Sequence, residues 1–107
     1  MSTAPKSQVL TFIDMTGYQD AAVVSRQITK TDGGNITLFA FDKDQGLSEH
    51  TAPFDALVQI LEGQAQVTIS EKLFVLKTGD AIIMPANEPH ALMAVQKFKM
   101  LLTMIRA

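Results

Sequence analysis

The sequence predicts an all-β fold, a small barrel, in one domain spanning residues 1–107. Short apolar and β-branched runs recur at intervals of about 8–12 residues, as in sandwiches and barrels. Turn-forming residues fall between them, and no window of a dozen residues sustains the apolar period of an amphipathic helix. With 47% hydrophobic and 19% charged residues, the chain has the composition of a packed domain and not of a disordered tail.

Residues 1–8 read as a polar N-terminal lead containing Pro5, and Val9 to Ile13 as a short β segment ended by Thr16-Gly17-Tyr18. Ala21 to Thr29 and Asn35 to Phe41 form a predicted hairpin, with Thr31-Asp32-Gly33-Gly34 supplying positive-φ turn positions. A shorter extended piece runs from Leu47 to Ala52, after the polar cluster Asp42 to Gly46 and before Pro53. Six further strands are predicted over Ala56–Leu61, Gln64–Ile69, Leu73–Leu76, Ala81–Met84, His90–Val95 and Phe98–Ile105. The turns between them are Glu62-Gly63, Ser70-Glu71-Lys72, Thr78-Gly79-Asp80, Pro85 to Pro89 and Gln96-Lys97. Two strands, Ala56–Leu61 and Met100–Ile105, are apolar at both parities. Each therefore needs cover on both faces, from another sheet of the same chain or from a partner, and a homodimer is expected.

Several function classes are excluded or disfavoured by content. The net charge of −2 with scattered Lys and Arg gives no footprint for nucleic acid. The absence of cysteine removes disulfides, thiolate metal sites and a cysteine nucleophile. No signal peptide and no apolar run long enough to span a membrane are seen, so a cytoplasmic location without membrane contact is expected. Accordingly, Asn35-Ile36-Thr37 is read as strand composition and not as a glycosylation site. Gly33-Gly34 lacks the following helix of a phosphate cradle. Ser25, Ser48 and Ser70 sit in no nucleophile motif, and Asp42 with Asp44 belongs to a solvated turn.

The specific signal lies between Gly46 and Ala94. The segment Val58-Gln59-Ile60-Leu61-Glu62-Gly63 closes a first motif, and counting back from Gly63 puts Ala56, Ala52 and His50 at its functional positions. Gly79, Pro85 and His90 have the spacing of a second motif, with Asn87 and Ala94 at its two remaining positions. In this order the two motifs resemble those of the cupin superfamily, which implies a small double-stranded β-helix, or jelly-roll, cupin barrel. In the family the first motif supplies two His and a Glu, and the second a third His. Here the resemblance places His50 and His90 on ligand positions and leaves alanine, Ala52 and Ala56, on the other two. Gly46 also stands two residues closer to His50 than the family spacing.

A metal site of the family type needs three imidazoles and a carboxylate, suited to Mn, Fe, Ni, Cu or Zn. This chain offers two imidazoles. Asp55 and Glu49 have the wrong strand parity to replace the missing donors. No cofactor is therefore expected, and a divalent metal, if held, would be held weakly by His50 and His90. Alanine in place of His and Glu opens space and removes charge, so the expected site is an apolar pocket for a small organic molecule. Its predicted contacts are His50, His90, Ala52, Ala56, Val58 and Leu92, with Ile60 and one or more of Met84, Met100 and Met104 in its walls. The alternatives are a dioxygenase or isomerase working with a loosely held metal on the two His, and metal-free acid–base chemistry by His90. Each residue also has a plain reading: a packed Met or Leu, a satisfied His.

Overall fold

A computed structural model describes residues 3–107; Met1 and Ser2, the first two residues of the predicted polar lead, lie outside it. The elements in chain order are a 3-10 turn, Phe12–Asp14, and eight strands: β1 Val23–Thr31, β2 Gly34–Phe41, β3 Gly46–His50, β4 Phe54–Ile69, β5 Lys72–Lys77, β6 Ala81–Met84, β7 His90–Met93 and β8 Phe98–Arg106. All pairings are antiparallel, and the sheet runs β1-β2-β8-β4-β7-β3, with β5 and β6 also paired to β4. Among the described residues no helix is long and apolar enough to cross a membrane.

The architecture turns on β4. Its first half pairs with β8 and β6, its second half with β7 and β5, so a single 16-residue strand belongs to both curved halves of the barrel. The sequence reading divides this strand at Glu62-Gly63; the structure corrects that division. The register against β8 slips between Ile60 and Glu62, and Gly63 adopts φ +88°. The irregularity bends the strand without ending it, as a bulge does at a barrel corner. No other residue fits here: a Cβ on Gly63 would lie 2.3 Å from the carbonyl oxygen of Lys97. The slip also resets the alternation, so that Ala56, Val58 and Ile60 before it and Ala65, Val67 and Ile69 after it all point inward.

Two other expectations are corrected by backbone chemistry. The β1–β2 hairpin forms, but neither Gly33 nor Gly34 has a positive φ. Gly34 is required for close approach instead, since a Cβ there would meet the Met104 carbonyl oxygen at 2.0 Å. The positive-φ pair lies at Ser70 and Glu71, φ 47° and 71°, the two-residue loop of the β4–β5 hairpin. Val9 to Ile13 is not a strand; Phe12–Asp14 is a 3-10 turn, and Leu10, Phe12 and Met15 pack on the outer face of the sheet. Ala4 is buried with them, and its N–H donates to the Ile28 carbonyl at 2.9 Å.

Two cores result. The interior one contains Phe41, Val58, Val67, Phe98 and Met100, with Phe41 and Phe98 stacked at 4.5 Å between centroids. The exterior one joins Ile28, Leu38 and Leu101 to the N-terminal segment. Part of the cover demanded by the doubly apolar strands thus comes from the chain itself. A polar clamp fastens this cover at its end: the Tyr18 hydroxyl donates to Glu62 at 2.6 Å, and Lys97 and Lys99 lie over the Tyr18 ring. Burial first, and the Glu62 carboxylate second, hold the Tyr18 phenol above its ordinary pKa.

Candidate functional site

His50 and His90 are directly opposed in the β3–β7 ladder, so their side chains leave the sheet on the same face. That result needs a defect. Leu47 and His50 are three residues apart and would face opposite ways on a regular strand, but the register slips between them, and both reach the barrel interior. Gly46 permits the tight approach of β3 to β7, because a Cβ on it would lie 2.3 Å from the Leu92 carbonyl oxygen. On the β7 side, Asn87 stands where the family motif has glycine and adopts φ 66°. Asn enters this region more readily than most residues, so the turn into β7 is kept.

The two rings meet edge to face, with centroids 4.4 Å apart and Nε2 to Nε2 at 3.2 Å. Their outer nitrogens are fixed. His50 Nδ1 lies 2.7 Å from the Ser48 carbonyl oxygen and His90 Nδ1 lies 3.1 Å from that of Glu88. A carbonyl only accepts, so the surroundings favour the tautomer with hydrogen on each Nδ1, in which each ring turns an Nε2 lone pair toward the other. In that tautomer two acceptors face one another across 3.2 Å. His90 is 4% exposed, whereas His50 is exposed at the barrel mouth. Burial, only partly offset by the bond to Glu88, lowers the His90 pKa, and nearby His50 lowers it further.

Behind the pair lies a cavity of about 40 Å3, lined by Leu47, His50, Ala56, Met84, His90, Leu92, Met100, Leu102 and Met104. The wide pocket expected from the alanines is not there, and the strand register gives the reason. Ala56 on β4 is flanked by Met84 of β6 on one side and Met104 of β8 on the other. Long thioether side chains fill the volume that a small residue leaves. Of the sequence-predicted residues, His50, His90, Ala56, Leu92 and the three Met come together here. Ala52 does not line the cavity; it follows β3, and its carbonyl accepts the Asn87 N–H at 2.8 Å. Val58 and Ile60 are buried in the core further along β4. Leu47 and Leu102 were not predicted. Leu47 reaches the cavity only through the β3 irregularity, which leaves no mark in the sequence.

A larger surface depression, about 350 Å3, lies on the outer face of the β4–β7–β3 sheet between Ser48, Gln66, Thr68, Ala91 and Met93. It carries no ionisable side chain.

These features coincide with what comparison finds. A family model described as a cupin domain matches residues 37–105, and the chain belongs to the cupin family. Among solved structures, it is similar to a conserved protein of unknown function from Streptococcus pyogenes, 34% identical, with 100% of this chain and 96% of that one covered at a TM-score of 0.91. A cupin superfamily protein from Desulfitobacterium hafniense is 26% identical, with 99% and 97% covered and a TM-score of 0.90. A cupin 2 conserved barrel domain protein from Leptotrichia buccalis is 34% identical over 88% of this chain and 46% of that one, at a TM-score of 0.86. None of the curated proteins matches. The fold is thus the cupin jelly roll.

The residues do not fit the divalent metal centre that the family implies. Among the described residues no three His, Cys, Asp or Glu side chains cluster so as to hold an ion. Two carboxylates close in sequence to Ala56 and His90 are committed elsewhere: Asp55 accepts the Ala86 N–H at 2.9 Å, and Glu88 accepts the Ser70 hydroxyl at 2.9 Å.

Proposed function

We propose that this cupin is a binding protein for a small organic molecule whose polar head carries hydrogen-bond donors and whose apolar part enters the barrel. The supporting observation is the pair of bare Nε2 atoms 3.2 Å apart at the edge of a cavity otherwise walled by Met, Leu and Ala. An amino group, with two or more hydrogens, placed beside them donates to both, and a hydroxyl, with one, donates to either; among the described residues no other side chain donates to these two atoms. The apolar remainder enters by displacing thioether side chains, whose three rotatable bonds make them easy to rearrange. The site has no fixed carboxylate or third imidazole, which favours retention of a ligand over turnover. Outward-facing Leu73, Val75 and Met93, 54%, 48% and 45% exposed, lie on the adjacent strands β5 and β7 that flank β4, and support a homodimer through that face in a cytoplasmic protein.

Methyl-labelled Met and ring-labelled His, titrated with phenol, benzylamine and n-butanol, test the site. The methyls of Met84 and Met104 and the nitrogens of both His should shift together and saturate, and His50→Ala with His90→Ala should weaken that response at least tenfold. Resonances that stay fixed for all three probes, with no small molecule retained in native mass spectra, refute the assignment.

A further inference from the structure

We infer that the same cavity is built to accept a soft monovalent cation, Cu(I), held by Nε2 of His50 and His90 and by thioether sulfur from the methionines around Ala56. The donor set is defined by what surrounds one small space. Two imidazoles converge with their Nδ1 atoms turned away onto the carbonyls of Ser48 and Glu88, and in the tautomer those carbonyls favour, both Nε2 lone pairs can donate to one centre. An ion bonded to both at about 2.0–2.1 Å would see the 3.2 Å separation as an angle of about 100–105°, close to tetrahedral. Three methionines, Met84, Met100 and Met104, line the same cavity, and the first and last flank Ala56 from opposite strands.

Charge and size decide which cation suits these donors. Thioether sulfur is a soft donor and selects Cu(I), while hard and borderline divalent ions draw on carboxylate, water and several imidazoles. No carboxylate faces the cavity to neutralise a second positive charge, and burying an uncompensated charge is costly. The free volume, about 40 Å3, takes a bare ion but not an ion with a shell of waters. The alanine at Ala56 gains a meaning different from lost function: it makes room for two thioethers to approach where a carboxylate would otherwise stand.

This inference does not rest on the organic ligand proposed above. Both occupants use the same two lone pairs, so they exclude one another, and either can fail while the other stands. The test is an anaerobic titration of tag-free full-length protein with Cu(I) against the chromophoric chelator bicinchoninate, with Zn(II) titrated separately. One Cu(I) should be withdrawn per chain, and Zn(II) should bind at least a hundredfold more weakly. His50→Gln, at an exposed position, and Met84→Leu with Met104→Leu, which conserve volume, should each weaken Cu(I) at least tenfold. If the Leu variant does not fold, methyl spectra of the unaltered protein decide the point. Shifts of the Met84 or Met104 methyls on adding Ag(I) support the site, and Met methyls that do not move overturn it. No withdrawal of Cu(I), Zn(II) bound as tightly as Cu(I), or undiminished binding by a folded Leu variant would also overturn it.

Discussion

Changing Ala56→Glu probes the convergence of His50, His90 and β4 directly. Ala56 is 2% exposed and lines the cavity with both rings, so its replacement should drive a carboxyl group into an apolar space. The cost follows from linkage. A carboxyl kept neutral at pH 7 by burial, against about 4.3 in the unfolded chain, is disfavoured by about 3.7 kcal/mol. For a domain of this size that corresponds to a fall in melting temperature of about 15–30 °C. A divalent metal changes the sign. Two imidazoles and one carboxylate make a facial three-donor set, and metal at a hundred times its Kd returns about 2.7 kcal/mol, or about 10–20 °C. The assay is thermal unfolding at pH 7 of the parent and the variant, with and without Fe(II) or Mn(II). A variant melting within about 2 °C of the parent and indifferent to metal would show that the carboxyl group does not enter the cavity, and the geometry claimed for the pair would be wrong.

Three further outcomes follow from the same structure. Gly63→Ala should destabilise by more than about 3 kcal/mol in urea, because a positive φ and a clash with backbone at 2.3 Å act together; a loss under 1 kcal/mol would refute the bulge as a strict requirement. Stability should decline as pH falls below about 6.5, since the folded state lowers the His90 pKa and the unfolded chain therefore binds more protons; His90→Gln should flatten that slope between pH 5 and 7. Asp42, whose carboxyl is held low chiefly by the Ala21 N–H, would add a decline only at more acid pH. Tyr18→Phe removes the bond to Glu62 and should cost about 1–2 kcal/mol, with faster hydrogen exchange at Ala4 as the N-terminal cover loosens; unchanged exchange there would mean that the clamp does not secure it.

Much of the barrel was legible because local and global signals agree. β6 is bounded in sequence as it is in space, and Ser70-Glu71 reads as the turn it is. Errors arose where one residue type serves two purposes. A glycine that ends a strand and one that lets a strand bend look alike, which is why β4 was divided at Gly63. Apolar residues at Leu10 and Phe12 suggested a strand, but the same content covers an outer sheet face. The site was legible only in part. Motif spacing singled out His50 and His90, whose meeting also depends on a register slip in β3 that no residue announces. The alanines suggested vacancy, and only the pairing of β4 with β6 and β8 reveals the methionines beside Ala56.

The central claim is that both imidazoles present unprotonated Nε2 to a common point. Long-range nitrogen–proton correlation spectra of ring-labelled protein at pH 8 measure it most directly. Both His50 and His90 are predicted to carry hydrogen on Nδ1 alone. Hydrogen on the Nε2 of either ring would contradict the account, because an N–H already lying between the rings would leave no pair of acceptors to be filled.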